Sequence, residues 1–355
     1  MRAAFPGRAV MLPWLVARVI DVVALTMLGP GTWTSPSWRQ LVNFDGGWFR
    51  AIAVDGYGPW PEPWPPTEGQ WTRFPFFPLF PMLAKALHTI GVPIEAALVG
   101  VAWAAALVAA AGIYRLAARH VPEPTARLAV WVSGLLPGAV TLGMGYSDGV
   151  FLAGCVWAVV WAEDRRWGWT AFAALAATAA RPNGALILVT VALVAWSAGG
   201  RVRAIATVWA PSAVFGALWM ICMVRWTGDP LAFLTAKAGW FEVNAIDLVQ
   251  QFERNAFVHL LLGLIGLGAV VAVVRRIPVS WTVHTVSSIA PPMVLGLTGL
   301  ARYAAVAFPV PIALALLAHR LPERLRRPAA AALLVSSTFG LAVFAMLITR
   351  ANYVP

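Results

Sequence analysis

Residues 94–117 read IEAALVGVAWAAALVAAAGIYRLA, and only Glu95 and Arg115 in this run carry a charge. A helix of 24 residues is about 36 Å long, and the apolar core of a bilayer is about 30 Å thick. The run is continuously apolar, whereas the strands of a membrane barrel alternate between apolar and polar residues. It therefore predicts a membrane-spanning helix.

The same pattern recurs along the whole chain. Of its 355 residues, 60% are hydrophobic and 12% are charged, about half the charged fraction of an ordinary soluble domain. We therefore predict an all-α polytopic membrane protein that forms a single integral membrane domain, residues 1–355, with about eleven transmembrane helices and a range of 10 to 12. The apolar runs lie near residues 8–29, 94–117, 125–144, 147–163, 167–180, 183–199, 204–226, 257–274, 279–297, 301–318 and 329–349.

A further run, 74–90, begins FPFFPLFP. Proline removes a backbone donor and clashes with the preceding helical turn, so we interpret this run as a broken, interfacial or re-entrant segment. The alternative is a full span, which would raise the count to twelve.

The distribution of basic residues favours the first interpretation. The net charge is +11, and the basic clusters between runs all fall on the side of the N-terminus if 74–90 does not cross. Basic loops face the cytoplasm in membrane proteins, so we predict a cytoplasmic N-terminus and an outer C-terminus. Because the charge is explained in this way, we expect no nucleic-acid partner. The clusters are Arg115/Arg119/Arg127, Arg165/Arg166, Arg201/Arg203, Arg275/Arg276 and Arg320/Arg324/Arg326/Arg327.

This topology gives two long outer loops, 30–73 and 228–256, and brings several polar stretches to the outer helix ends. Polar and ionisable groups at membrane depth are costly and tend to mark a site. We therefore expect one polar chamber at the outer face. The stretches contain Asp45, Tyr146-Ser147-Asp148, Arg181-Pro182-Asn183-Gly184, Asp229 and Arg302-Tyr303.

Asp45 is the candidate general base. It lies in NFDGGWFRAIAVDGY (43–57), where two glycines leave room for a substrate beside the carboxylate. The alternative is that Asp45 caps the short helix that follows.

The candidate phosphate ligands are arginines. Arg181 and Arg302 can grip a phosphate by paired hydrogen bonds, or they can extend to the membrane surface. Arg50 is a further candidate, although an arginine in a loop is often only solvated. Asp148 either binds a sugar hydroxyl or caps a helix, and Asp229 before Pro230 fits a turn residue.

Metal chemistry has no support in the sequence. The two cysteines lie inside apolar runs, and the five histidines show no ligand spacing. We predict no metal and no cofactor.

Several stretches resemble a known family. FDGGWFRAIAVDGYG followed by FPFFPLFP, then YSDGVFLAG, AARPNGALIL, GDPLAFLTAKAGW and ARYAAVAFPV, resemble in order the motifs of the PIG-V-like mannosyltransferases. This is the family of the second mannosyltransferase of GPI-anchor synthesis and its actinobacterial relatives. Three positions depart from its pattern: Asp148 stands where the family often has glutamate, Phe44 replaces a tryptophan, and Asn183 replaces a hydroxyl residue.

The resemblance implies a GT-C glycosyltransferase in the cell membrane whose active site faces the periplasm or exterior. Its donor would be polyprenyl-phosphate-mannose, its acceptor a glycolipid or envelope glycan, and Asp45 its acidic catalytic residue, acting as general base. A groove formed with membrane lipids would hold the polyprenyl tail at Phe76, Phe77 and Phe80. The expected substrate-binding residues are Trp48, Tyr57, Tyr146, Ser147, Asp148, Asn183, Asp229 and Tyr303.

Two alternatives stay open. One is a transporter or flippase for a lipid-linked sugar, although such proteins often show an internal repeat that this chain lacks. The other is a protein O-mannosyltransferase, since the sequence does not identify the acceptor.

Overall fold

A computed structural model describes residues 7–27, 38–58, 64–66, 70–199, 202–236, 256–295, 297 and 299–349. All regular structure in these ranges is helical, as predicted. The α-helices are α1 Gly7–Met27, α2 Asp45–Asp55, α3 Leu79–Thr89, α4 Ile94–His120, α5 Glu123–Leu135, α6 Asp148–Glu163, α7 Trp167–Ala180, α8 Ile187–Ser197, α9 Val202–Thr227, α10 Ala232–Thr235, α11 Ala256–Ala272, α12 Val279–Leu295, α13 Leu300–Val306, α14 Pro309–His319 and α15 Glu323–Ile348. Three 3₁₀ helices cover Trp38–Val42, Pro137–Leu142 and Pro182–Leu186.

Every predicted apolar run overlaps at least one of these helices. Within the described ranges, α1, α4, α9 and α15 are long and apolar enough to cross a membrane alone. Helices α13 and α14 satisfy the same test as a pair bent by 75°. The others are shorter, so the number of about eleven spans stays a prediction.

Prolines explain two of the breaks between shorter helices. Helix α5 ends before Pro137 and α7 ends before Pro182. The residue before a proline is disfavoured in the helical region, and at both breaks that residue is extended and the chain continues as a 3₁₀ helix. The break between α13 and α14 is different, because the extended residue there is Ala307 and not the residue before Pro309. These interruptions expose backbone and polar side chains at helix ends instead of continuing an apolar span.

The 74–90 segment forms a turn followed by α3, which has 11 residues and is therefore about 16 Å long. That is about half the thickness of a bilayer core. The phenylalanine-rich turn packs against protein: Phe80 is fully buried against Phe49, at 4.9 Å between ring centroids, and Phe77 contacts Trp219 at 5.6 Å. Its placement relative to a bilayer stays a prediction.

The two long loops are partly described. The first contains the 3₁₀ helix Trp38–Val42 and α2, and the second begins with a turn and α10. Residues 30–37 and 237–255 lie outside the described ranges.

Helix α4 lies at the centre of the packing, against α1, α5 and α6, and α6 packs on α7. Alanine and glycine line these contacts, and small residues let membrane helices approach closely. Helix α9 lies at the periphery: only 17% of its most apolar 18-residue stretch is buried, whereas 44% of the corresponding stretch of α4 is buried.

Helix α6 separates two clusters of charge. At its C-terminal end, Arg119 of α4 binds Glu163 and Asp164, both at 3.0 Å. At its N-terminal end, which we call the site end, it begins with Asp148. Arg119 and its two acidic partners therefore lie at the end of α6 opposite Asp148, and the segregation of the other basic clusters stays a prediction. Which end faces the cytoplasm stays a prediction.

Candidate active site

Asp45 is the first residue of α2, and its carboxylate turns away from that helix. Its Oδ2 accepts a 2.6 Å hydrogen bond from Nη1 of Arg302, and no side chain caps the helix. The capping alternative is therefore not what the structure shows. The Asp45 side chain is 22% exposed, and within the described part of the chain no donor reaches Oδ1. Among the described residues, one carboxylate oxygen is therefore held and the other has no hydrogen-bond donor.

The backbone that delivers Asp45 is unusual. Phe44, immediately before it, has a φ of 52°, a region that non-glycine residues rarely adopt at a cost of about 1–3 kcal/mol. Behind it, the first turn of α2 packs on the segment before α6. A Cβ on Gly46 would lie 3.3 Å from Cγ1 of Val42 and 3.4 Å from the carbonyl oxygen of Gly145, so the two segments are in close contact here. Local strain thus accompanies the placement of the candidate base.

Arg302 connects Asp45 to Asp148. Its Nε lies 2.9 Å from Oδ1 of Asp148 and its Nη2 lies 2.7 Å from Oδ2. This is the paired geometry that arginine forms with carboxylates. The Arg302 guanidinium also lies over the ring of Tyr146, at 4.7 Å from the centroid.

Arg181 approaches the same carboxylate from the other side. Its Nη1 donates to Oδ1 of Asp148. The rings of Tyr303 and Phe151 lie 5.0 and 5.6 Å from the Arg181 guanidinium. Asp148 itself is fully buried, so its charge is balanced by the two arginines. A buried carboxylate is tolerated only when it is paired in this way.

Tyr146 packs against the guanidinium of Arg302. It is fully buried, and its hydroxyl donates a 3.2 Å hydrogen bond to the carbonyl oxygen of Asn43. Burial, together with the nearby charge of Asp45, raises the pKa of the Tyr146 phenol well above its usual value. The phenol therefore stays protonated and acts as a donor.

A close backbone contact sets the position of Arg302. The 3₁₀ helix Pro137–Leu142 packs on α13 so tightly that a Cβ on Gly138 would lie 2.1 Å from the carbonyl oxygen of Ala301. No other residue fits without displacing α13. The break after α5, which Pro137 causes, thus fixes the helix that carries Arg302.

The structure therefore brings together six of the predicted site residues, which form a chain of alternating charges with aromatic support: Asp45, Arg302, Asp148, Arg181, Tyr146 and Tyr303. We call the four charged members the charge network. Ser147 is buried beside Asp148. Asn183 follows in the third 3₁₀ helix, and its buried Nδ2 has no acceptor among the described residues.

The other predicted residues have different neighbours. Nε of Arg50 pairs with Oε1 of Glu95 at 2.7 Å. Oδ1 of Asp229 accepts from the backbone N–H of Leu231 at 2.8 Å, which is the turn role predicted for it. The roles of Arg50 and Asp229 toward substrate stay predictions.

Two predicted aromatic residues, Trp48 and Tyr57, pack around the 74–90 segment. Trp48 stacks on Phe76, with 6.0 Å between ring centroids, and the Tyr57 hydroxyl donates to the carbonyl oxygen of Phe76 at 2.7 Å. The Tyr57 ring stacks on Trp226 at 5.4 Å. Phe77 and Phe80 are buried in protein, so Phe76 is the partly exposed member of the predicted lipid groove.

Sequence reasoning missed one buried ion pair. Arg18 and Asp21 lie inside α1, with Nη2 of Arg18 2.8 Å from Oδ2 of Asp21 and both side chains at most 3% exposed. Asp21 packs against Gly143, where a Cβ would lie 2.4 Å from Oδ2. The spacing of three residues within one helix is the signal that could have found the pair.

Metal ligands do not cluster in the described ranges: no three His, Cys, Asp or Glu side chains lie close enough together to hold an ion. A metal-free reaction stays a prediction.

Comparisons with known proteins identify the fold. No protein-family model and no curated protein matches the chain. Among solved structures, the archaeal oligosaccharyltransferase AglB from Archaeoglobus fulgidus, in complex with an inhibitory peptide and a dolichol-phosphate, matches with a TM-score of 0.56 and 13% sequence identity. The match covers 99% of this chain and 57% of that chain.

Two further structures of the Archaeoglobus fulgidus oligosaccharyltransferase agree. The apo form matches with a TM-score of 0.55 and 12% identity, over 99% of this chain and 57% of that one. The form tethered to an acceptor peptide gives 0.55 and 13%, over 99% and 56%. The chain thus spans little more than half the length of these proteins. The prediction of a GT-C fold is confirmed, whereas membership of the PIG-V-like family stays a prediction.

Proposed function

Taking the GT-C fold as the premise, we propose that this chain is an inverting glycosyltransferase. It moves mannose from polyprenyl-phosphate-mannose to a glycolipid or envelope glycan acceptor on the non-cytoplasmic face of the membrane. The observation that carries the proposal is the asymmetric environment of Asp45. Arg302 holds one of its oxygens, no donor among the described residues reaches the other, and the side chain is 22% exposed, which suits a general base.

The chemical step places each group. Oδ1 of Asp45 takes the proton of the acceptor hydroxyl. At the same time the oxygen of that hydroxyl attacks the anomeric carbon of the donor sugar. The new carbon–oxygen bond forms on one face of the sugar while the bond to the phosphate oxygen breaks on the opposite face, which inverts the configuration. The electron pair of the broken bond leaves with the polyprenyl phosphate, and the proton stays on Asp45.

The leaving group needs positive charge. A phosphodiester with one negative charge becomes a phosphomonoester with a second charge as the bond breaks. Cationic hydrogen-bond donors aimed at that position stabilise the transition state. Arginines of the charge network lie at the site end and supply such donors without a metal ion.

One neighbour structure supports a lipid-linked donor and bears on the acceptor. The complex named above contains a dolichol-phosphate, which is a polyprenyl phosphate in chemical class, and an inhibitory peptide. The first is in keeping with a lipid phosphate at this fold. The second keeps a protein acceptor open as an alternative to a glycolipid or glycan.

The experiment follows radiolabelled mannose from polyprenyl-phosphate-mannose into membrane lipid, glycan and protein fractions, using purified full-length protein returned to membranes. Transfer by the wild type, unaffected by EDTA, supports the proposal and names the acceptor class. A protein that binds the donor, leaves it intact and moves it across vesicles is a transporter and not a transferase.

A further inference from the structure

The two arginines of the charge network have different bonding states, although both side chains are 9% exposed. Every guanidinium nitrogen of Arg302 donates to a carboxylate: Nε and Nη2 to Asp148, and Nη1 to Asp45. Arg181 uses Nη1 alone, for Asp148. Among the described residues, no acceptor reaches its Nε or Nη2.

We infer that the two arginines divide the work of the proposed reaction. Arg302 is a positioning residue that holds the base Asp45, and Arg181 is the arginine that binds the phosphate of the lipid donor. The inference rests on the proposed function, and it replaces the symmetrical expectation that both arginines bind phosphate.

The case for Arg302 is geometric. Asp148 is fully buried and engages Arg302 through two parallel bonds of 2.9 and 2.7 Å, so the guanidinium plane is fixed. The Tyr146 ring covers one face of that plane. Nη1 then projects toward Asp45 and donates a 2.6 Å bond to Oδ2, and Oδ1 has no donor among the described residues. A phosphate that bound Arg302 would have to displace one of these carboxylates.

The case for Arg181 is the reverse. Aromatic rings lie 5.0 and 5.6 Å from its guanidinium, and Asp148 holds one nitrogen. The remaining two nitrogens can donate to two oxygens of a phosphate, which is the geometry that arginine favours. Asp148 therefore serves as the shared anchor of both arginines. This differs from the expected contact between Asp148 and a sugar hydroxyl.

The test compares Arg302→Lys with Arg181→Lys, which keep the charge but remove the planar arrangement of donors. Two quantities are measured: kcat of mannose transfer, and the Kd of polyprenyl phosphate by itself. For Arg302→Lys we expect kcat to fall about 100-fold, because a misplacement of about 1 Å has that effect, with Kd unchanged. For Arg181→Lys we expect Kd to rise at least about tenfold, because charged hydrogen bonds contribute that much.

The reverse pattern, with Kd raised only by Arg302→Lys, overturns the inference, and so does an equal rise in both variants. If Arg302→Lys does not fold, Asp45→Glu replaces it, since it moves the carboxylate by one methylene while Arg302 stays in place. Full kcat in that variant overturns the positioning role. The proposed function fails separately, if the wild type transfers no mannose at all.

Discussion

Arg302 and Asp148, which are 154 residues apart in the sequence, form a paired, buried ion pair in which Nε and Nη2 of the arginine lie 2.9 and 2.7 Å from the two carboxylate oxygens. The pair joins α13 to the start of α6. Because Arg302 also reaches Asp45 on α2, one side chain connects three elements at the site end.

Replacement of Asp148 is expected to destabilise the protein strongly. Asp148→Asn leaves Arg302 paired only with Asp45 and removes the carboxylate that pairs with Arg181, and removal of one partner of a buried pair costs about 3–5 kcal/mol. Thermal unfolding in detergent, followed by tryptophan fluorescence, measures the effect. The control is Asp55→Asn, because Asp55 is 57% exposed in its pair with Arg73 and such pairs contribute less than about 1 kcal/mol. Equal losses in the two variants contradict the account.

The Arg18–Asp21 pair predicts non-additive changes in stability. Arg18→Leu and Asp21→Leu alone each leave an unpaired buried charge, so each lowers stability by about 3–5 kcal/mol. The double variant removes both charges and is expected to be near neutral, since apolar replacements of buried pairs often are. Unfolding of the four proteins in the same detergent gives the coupling energy. Additive losses show that the two side chains do not act as a pair.

Gly138→Ala is expected to lower transfer activity, because its Cβ would lie 2.1 Å from the carbonyl oxygen of Ala301 and must displace α13. Since a shift of about 1 Å at catalytic groups costs about 100-fold, kcat should fall by one to two orders of magnitude. The matched control is Gly168→Ala in α7, where nothing lies within 4 Å. Steady-state kinetics on both variants make the comparison, and unchanged kcat in Gly138→Ala shows that α13 tolerates the shift.

Tyr57 predicts a loss of stability in alkali. Burial raises the pKa of its phenol above the usual value, which is about 10 in the unfolded chain. Above pH 10 the unfolded state has lost the proton that the folded state keeps, so stability falls as pH rises, and it is unaffected below that pH. Tyr57→Phe should flatten the decline between pH 10 and 11. An identical decline in the variant assigns it to other groups.

Much of the fold follows from the sequence. The apolar runs specify helices because the backbone must satisfy its own hydrogen bonds in lipid, and Pro137, Pro182 and Pro309 mark the breaks. Alternation of helix direction then places Asp45, Asp148, Arg181 and Arg302 at one end.

The pairing within that end does not follow from the sequence. Which carboxylate meets which arginine depends on how α13 packs against the 3₁₀ helix Pro137–Leu142, a contact between distant segments. The sequence predicts that Asp148 binds a sugar hydroxyl or caps a helix; the structure shows it bound to two arginines, and a contact with substrate stays a prediction. Arg18 and Asp21 lie within an apolar run and not at a helix end, so the rule that polar groups mark a site at helix ends does not find them.

The most direct test of the central claim compares Asp45→Asn with Asp55→Asn, two aspartates at opposite ends of α2. Single-turnover transfer of mannose from polyprenyl-phosphate-mannose is measured alongside donor binding. The account predicts that Asp45→Asn binds the donor normally and transfers about 100- to 10,000-fold more slowly, the range for loss of a general base, while Asp55→Asn resembles the wild type. Undiminished transfer by a folded Asp45→Asn protein would contradict it.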